Sequence, residues 1–247
     1  MCLLVLFYRV VEDAPLVAGA NREEAYARGG EPPALLDGAC RAVAGLDPSR
    51  GGTWFGVNEN GVLIAVTNRP KSVLPAQPRS RGLLARDLLS CPTAGAAAVL
   101  AARELNQNQY AGCNIVCADA QGATVLQAGD WLRIRPLPPG LHLLTAHDVN
   151  DASDRRIGHA YGWLQQRGYA CAEQCVSALK ELCAQSGEAG PMCLHGTEGG
   201  TVSSSIVALR SVLERSTYLH AQGPPDRVPY ADYSHLLRKL AATRVVS

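Results

Sequence analysis

The chain opens on an apolar run, Leu3-Leu4-Val5-Leu6-Phe7, that continues in mixed form to Val11 and predicts a strand. Ala14-Pro15 marks a turn, and Leu16 to Ala20 predicts a second short strand, so the chain begins with a hairpin. The hairpin delivers the polar quartet Asn21-Arg22-Glu23-Glu24 to a strand end, where sites are usually built; a solvated loop or turn cap would use the same residues. Residues 29–50 hold Gly29-Gly30 and Pro32-Pro33 and read as a loop. Gly51-Gly52-Thr53-Trp54-Phe55-Gly56-Val57 enters a strand, Asn60-Gly61 is a hairpin signal, and Val62 to Asn68 returns before Arg69-Pro70 stops the ladder.

Periodicity then changes. Leu83, Leu84, Leu88 and Leu89 fall at helical spacing within 80–89, and Cys91-Pro92 breaks that helix. Thr93 is placed to cap the next helix, through Ala96, Leu100 and Leu105. Strands are predicted over 113–119, 123–128, 131–135 and 141–145, followed by the polar stretch Ala146 to Asp151. Helices are predicted around 154–167 and 171–186. The Gly-rich segment 192–205 feeds a strand over 206–210, residues 215–220 pair back, and 230–240 forms a short helix. Recurring hairpins with helices grouped between strand blocks predict a layered α+β architecture with mainly antiparallel sheets. No repeat or long linker divides residues 1–247, so one domain is expected.

Composition narrows the function classes. With 247 residues, 47% hydrophobic and 18% charged, the chain can bury a large core. A net charge of +1 gives no field that would draw nucleic acid or a membrane surface. No apolar segment reaches transmembrane length, and the N-terminal run lacks a signal peptide's basic start. Nine cysteines without scaffold spacing point to reduced thiols and a cytoplasmic location. Cys113 and Cys117 would share one strand face as core residues. Cys91-Pro92 resembles a haem thiolate dipeptide, but a helix break accounts for it; no metal or cofactor is expected.

Cys2 is the candidate nucleophile. Once Met1 is removed, it carries a thiol and a free α-amine on one residue, and such a terminus supplies nucleophile and base together. A buried small hydrophobe at a strand start is the plain alternative.

Met1-Cys2, Asn21-Arg22-Glu23-Glu24, Gly51-Gly52-Thr53-Trp54-Phe55-Gly56-Val57, Ala65-Val66-Thr67-Asn68, Ser80-Arg81-Gly82, Gly112-Cys113-Asn114, Leu144-Thr145, Asn150-Asp151 and Gly200 to Ile206 occur in an order that resembles the NRDE family, which includes the transport and Golgi organisation 2 proteins. Glu23 stands where that family's motif has Asp. The resemblance implies a four-layer αββα sandwich of the N-terminal nucleophile hydrolase type, related to choloylglycine hydrolases and penicillin V acylases. It implies Cys2 as nucleophile, Arg22 and Glu24 beside it, and Asn68 as oxyanion donor or orienting group. Asn21, Trp54, Asn114, His147 and Asn150 are the candidate substrate contacts. Ala146 replaces an expected Asn, with His147 beside it, and Val202 replaces an expected Arg.

These residues and the resemblance leave two functions open, beside a globular fold with a vestigial site. One is hydrolysis of a small molecule's C–N amide bond through a Cys2 thioester. The other is non-catalytic carriage of haem or a lipid-like ligand on the same fold, with Cys2, His147 and His195 as possible haem ligands. The sequence leaves the oligomeric state open.

Overall fold

A computed structural model describes residues 2–107, 109–188 and 191–242. Strands β1 (Leu3–Val11) and β2 (Ala14–Ala25) form the opening hairpin. Beside it run β10 (Gly140–Leu144), β11 (Gly199–Leu209), β12 (Thr217–Ala221) and β13 (Ala231–Asp232). Their order across this six-stranded sheet is β10-β1-β2-β11-β12-β13. The second sheet has seven strands in chain order: β3 (Glu31–Leu36), β4 (Ala42–Leu46), β5 (Phe55–Asn58), β6 (Leu63–Asn68), β7 (Cys113–Ala118), β8 (Ala123–Ala128) and β9 (Leu132–Pro136). Every pairing between these named strands is antiparallel.

Alternation along the strands builds three apolar layers. Leu4, Leu6, Leu16 and Ala18 of the first sheet meet Val43, Phe55, Leu63 and Val116 of the second in a core between the sheets. Leu3, Val5, Phe7 and Val17 face the other way, against helices α3 (Arg155–Gln165) and α4 (Ala172–Cys183). Ile64, Cys113, Ile115 and Cys117 pack on α1 (Arg81–Leu89) and α2 (Ala94–Asn106). The result is a four-layer αββα sandwich. Helix α5 (Ser234–Ala242) adds Leu236, Leu237 and Leu240 to the central core. Side-chain caps start three helices: Ser80 for α1, Thr93 for α2 and Asp154 for α3.

Four expectations change. Residues 29–50 hold β3 and β4, and Pro32-Pro33 fit because β3 is an edge strand with a register shift between Glu31 and Ala34. The second strand continues through the 21–24 quartet to Ala25, because β11 pairs along it from Gly199↔Ala25 to Leu209↔Leu16. β11 therefore starts at Gly199, where the Gly-rich composition had predicted only an approach to a strand. The last helix also starts later than expected, at Ser234, after the short strand β13.

Candidate active site

Because the quartet lies inside a strand, its side chains alternate between faces. Asn21 and Glu23 turn toward the α3/α4 layer. Asn21 Nδ2 donates to the carbonyls of Cys183 and Met192, both at 2.9 Å. The Glu23 carboxylate is gripped by Arg156 of α3, at 2.5 and 3.2 Å. Arg22 and Glu24 fall on the opposite face and line a cavity of about 260 Å³ at one end of the sandwich. Cys2, Thr53, Trp54, Asn68 and Arg81 line it as well.

Arg22 is fixed from several sides. Its guanidinium carbon sits 4.2 Å from the centre of the Trp54 ring, and Nη1 donates to the Gly29 carbonyl at 2.5 Å. Burial lowers its pKa, against the pull of Glu24 and Asp47. Arg28 bridges Glu24 at 2.8 Å and Asp47 at 2.6 Å, closing an ion network along one wall. Burial works against the Asp47 carboxylate, yet hydrogen bonds from Ser49 and Arg28 hold its pKa below the usual range. Gly52 and Gly82 let the 51–53 turn touch the start of α1: a Cβ on Gly52 would lie 2.4 Å from the Gly82 carbonyl carbon.

Cys2 is half-buried at the head of β1, and its Sγ lies 3.9 Å from the Glu23 carbonyl. Burial, and then Glu23, raise the thiol pKa. Burial also lifts the Cys113 and Cys183 thiols, to about 12. Asn68 is exposed at the end of β6, on the same cavity, and its side chain makes no hydrogen bond among the described residues.

The cavity thus brings together Cys2, Arg22, Glu24, Asn68 and Trp54. Asn21, Asn114, His147 and Asn150 are not among its lining residues. Asn114 is buried and ties β7 to its surroundings, donating to Thr67 Oγ1 at 3.1 Å and to the His147 carbonyl at 3.1 Å. Asn150 adopts φ +57° and closes the turn after β10 by accepting from Leu143 N at 2.8 Å. His147 is exposed. Arg28, Asp47, Thr53 and Arg79 belong to the cavity but escaped sequence reading; Asp47-Pro48-Ser49 carried only an Asx-turn signal.

Residues 1–189 match the family described as Transport and Golgi organisation 2. The chain belongs to that family. The human Transport and Golgi organization protein 2 homolog is 31% identical over 138 residues, covering 53% of this chain and 50% of the human protein. The alignment therefore spans about half the length of that curated relative.

Solved structures of similar shape include penicillin V acylase from Agrobacterium tumefaciens, with a TM-score of 0.61 and 14% identity over 97% of this chain and 88% of that one. The Caenorhabditis elegans N-acylethanolamine-hydrolyzing acid amidase ortholog gives 0.57 at 13% identity, over 83% and 92%. A variant of conjugated bile acid hydrolase from Clostridium perfringens gives 0.52 at 11% identity, over 96% and 94%. At these identities the similarity shows the N-terminal nucleophile hydrolase fold and nothing finer.

Two family positions depart here. Ala146, where the family resemblance implies Asn, is buried. Val202, in place of the implied Arg, lies where the β2–β11 register shifts between Thr201 and Ser203.

Proposed function

We propose that this chain, after loss of Met1, hydrolyses a C–N amide bond of a small molecule through Cys2. The observation that carries this reading is the convergence of Cys2, Arg22, Glu24 and Asn68 on one cavity of a hydrolase-type sandwich. The free α-amine accepts the thiol proton, and the thiolate attacks the amide carbonyl. The oxyanion is met by Asn68 Nδ2, whose donor protons are uncommitted among the described residues. Collapse transfers the amine's proton to the leaving nitrogen and leaves a thioester on Cys2. Water then releases the acid and restores the thiol. Arg22, held on Trp54, keeps positive charge beside the sulfur and favours thiolate.

A second reading, non-catalytic carriage of a haem-like or lipid-like ligand, draws support from the buried Ala146 and from a thiol whose pKa is raised. The reducing compartment inferred from the cysteines suits either reading. No helix of the described residues is long and apolar enough to cross a membrane.

The test compares Met1-processed protein, a Met1-retained form and Cys2→Ala. Each is treated with a substoichiometric thiol-reactive amide, and the label is located by mass spectrometry. Hydrolysis requires preferential labelling of Cys2 in the processed form and turnover of some member of an N-acyl amide panel. Equal labelling with and without Met1 rejects the amine as base. Saturable one-to-one haem binding with no turnover establishes the carrier.

A further inference from the structure

A second cluster of reactive side chains lies on the far side of β2, outside the cavity. Cys193, His195 and Asp226 come from the segment before β11 and the loop after β12. Cys193 Sγ is 3.2 Å from Asp226 Oδ1, His195 Nε2 is 2.8 Å from Asp226 Oδ2, and Sγ and Nε2 are 3.8 Å apart.

The order of contacts excludes a nucleophile relay. A relay needs the imidazole between thiol and carboxylate, using one ring nitrogen for each. Here the carboxylate stands between the other two, and the same Nε2 faces both sulfur and oxygen. Three donors of different softness therefore converge on a common point. A tetrahedral zinc ion, with Zn–S near 2.3 Å and Zn–N and Zn–O near 2.0–2.2 Å, needs donor separations of about 3.4–3.6 Å. The carboxylate meets sulfur and ring nitrogen through different oxygens, at 3.2 and 2.8 Å, while Sγ and Nε2 are 3.8 Å apart, so a turn of the Asp226 carboxylate that offers one oxygen would admit an ion.

We propose that Cys193, His195 and Asp226 form a zinc site with one open coordination position. The donor set selects the metal class. Thiolate plus imidazole favours zinc among available divalent ions, whereas magnesium and calcium take all-oxygen sites. Charge and protons balance. The thiol proton leaves to solvent, and the imidazole proton moves to Nδ1. Thiolate and carboxylate then neutralise the dication, which suits a site containing the buried Cys193. The fourth position has access, because His195 borders an open cleft of about 440 Å³ lined also by Glu23, Glu24, Leu194, Gly196, Gly199 and Gly200.

The framework is already fixed. Leu194 N donates to Thr201 Oγ1 and Thr201 N to the Leu194 carbonyl, both at 2.8 Å, and Cys193 N donates to the Gln185 carbonyl at 2.8 Å. An ion would pin the 192–200 segment to the 222–230 loop, and so brace β11 against β12. Cys2 plays no part, so the proposal is independent of the hydrolase reading.

The test uses the full chain, stripped with a chelator and titrated with zinc by calorimetry and with cobalt(II) by absorption. One equivalent is expected to bind, and cobalt should show thiolate-to-metal charge transfer with intense tetrahedral d–d bands. Cys2→Ser should leave these bands intact. Cys193→Ser should abolish the charge transfer and weaken zinc binding more than about 100-fold, beyond what loss of an outer-shell partner causes. Asp226→Asn should keep the charge transfer but alter the d–d bands, with circular dichroism confirming that both variants fold. Absence of saturable binding in the unaltered protein overturns the proposal, as does a charge-transfer band that survives Cys193→Ser.

Discussion

The two faces of β2 make an instructive contrast. On the outer face, Asn21 Nδ2 donates to two carbonyls and Glu23 binds the Arg156 guanidinium, while Asn21 Oδ1 is buried with no hydrogen-bond partner among the described residues. On the inner face, Arg22 and Glu24 border open space shared with Cys2. The side chains of one motif therefore divide into structural ties and cavity walls, although Glu23, whose backbone carbonyl faces Cys2 Sγ, also borders the cavity. A motif read as a unit in sequence is two devices in space, separated by the two-residue period of a strand.

The contrast breaks if inner-face substitutions unfold the protein, or if outer-face substitutions alter only chemistry. The largest effect is expected at Cys2. Cys2→Ala should lower turnover of any accepted amide by about 10⁴-fold or more while leaving the urea midpoint nearly unchanged. Glu23→Ala should do the reverse: it removes the carboxylate that neutralises the largely buried Arg156, whose Nη2 keeps its hydrogen bond to the Met192 carbonyl, and chemical denaturation should show a loss of about 3–5 kcal/mol. Glu24→Ala, at a residue 27% exposed, should cost less than about 1 kcal/mol in the same assay. If both glutamates cost the same, the division of the motif is wrong.

Smaller effects sharpen the picture. Asn68→Ala should reduce kcat by about 10²–10³-fold if its amide meets the oxyanion, with little change in KM. Asn21→Ala should destabilise by about 1–3 kcal/mol, since it leaves the Cys183 and Met192 carbonyls without that donor. The smallest effect concerns His220, whose ring is buried between Ser205 Oγ at 2.9 Å and Gln222 Oε1 at 2.8 Å. Burial lowers its pKa, against the hydrogen bond to Gln222. The unfolded chain thus takes up the proton first, and stability should fall as pH drops below about 6.5, the value of a free imidazole. His220→Gln should flatten that part of the profile, above the range where carboxylates titrate.

Much of the fold was legible because strand and helix periods were clean. The 3–11, 62–68, 113–119 and 123–128 runs stand within a residue of where the pattern placed them, and Thr93 caps α2 as expected, while Ser80, read as the first residue of a helix, caps α1. Legibility failed where tertiary pairing overrode local composition. Pro32-Pro33 looked like a loop because an edge strand tolerates what a central strand does not. The quartet looked like the residues just past a strand end because its partner, β11, is remote in sequence and was itself disguised by glycine and serine. Within the candidate site, Cys2, Arg22, Glu24, Trp54 and Asn68 could be named, but Asn114 and Asn150 could not be told from structural amides. An asparagine that bridges carbonyls and one that faces a ligand carry the same letter; only strand register and turn geometry separate them.

The pairing of β2 with β11 also constrains how the molecule is made. A ribosome delivers β1 and β2 first, yet the strand that flanks β2 on its other side emerges only with residues 199–209. Until then the motif strand has a bare edge, and the first sheet waits on one of the longest-range pairings in the chain. The segment that matches the family ends at residue 189, before that strand begins. A chain cut at that boundary would lose the central partner of its motif strand, so the unit that folds is longer than the unit by which the family is recognised.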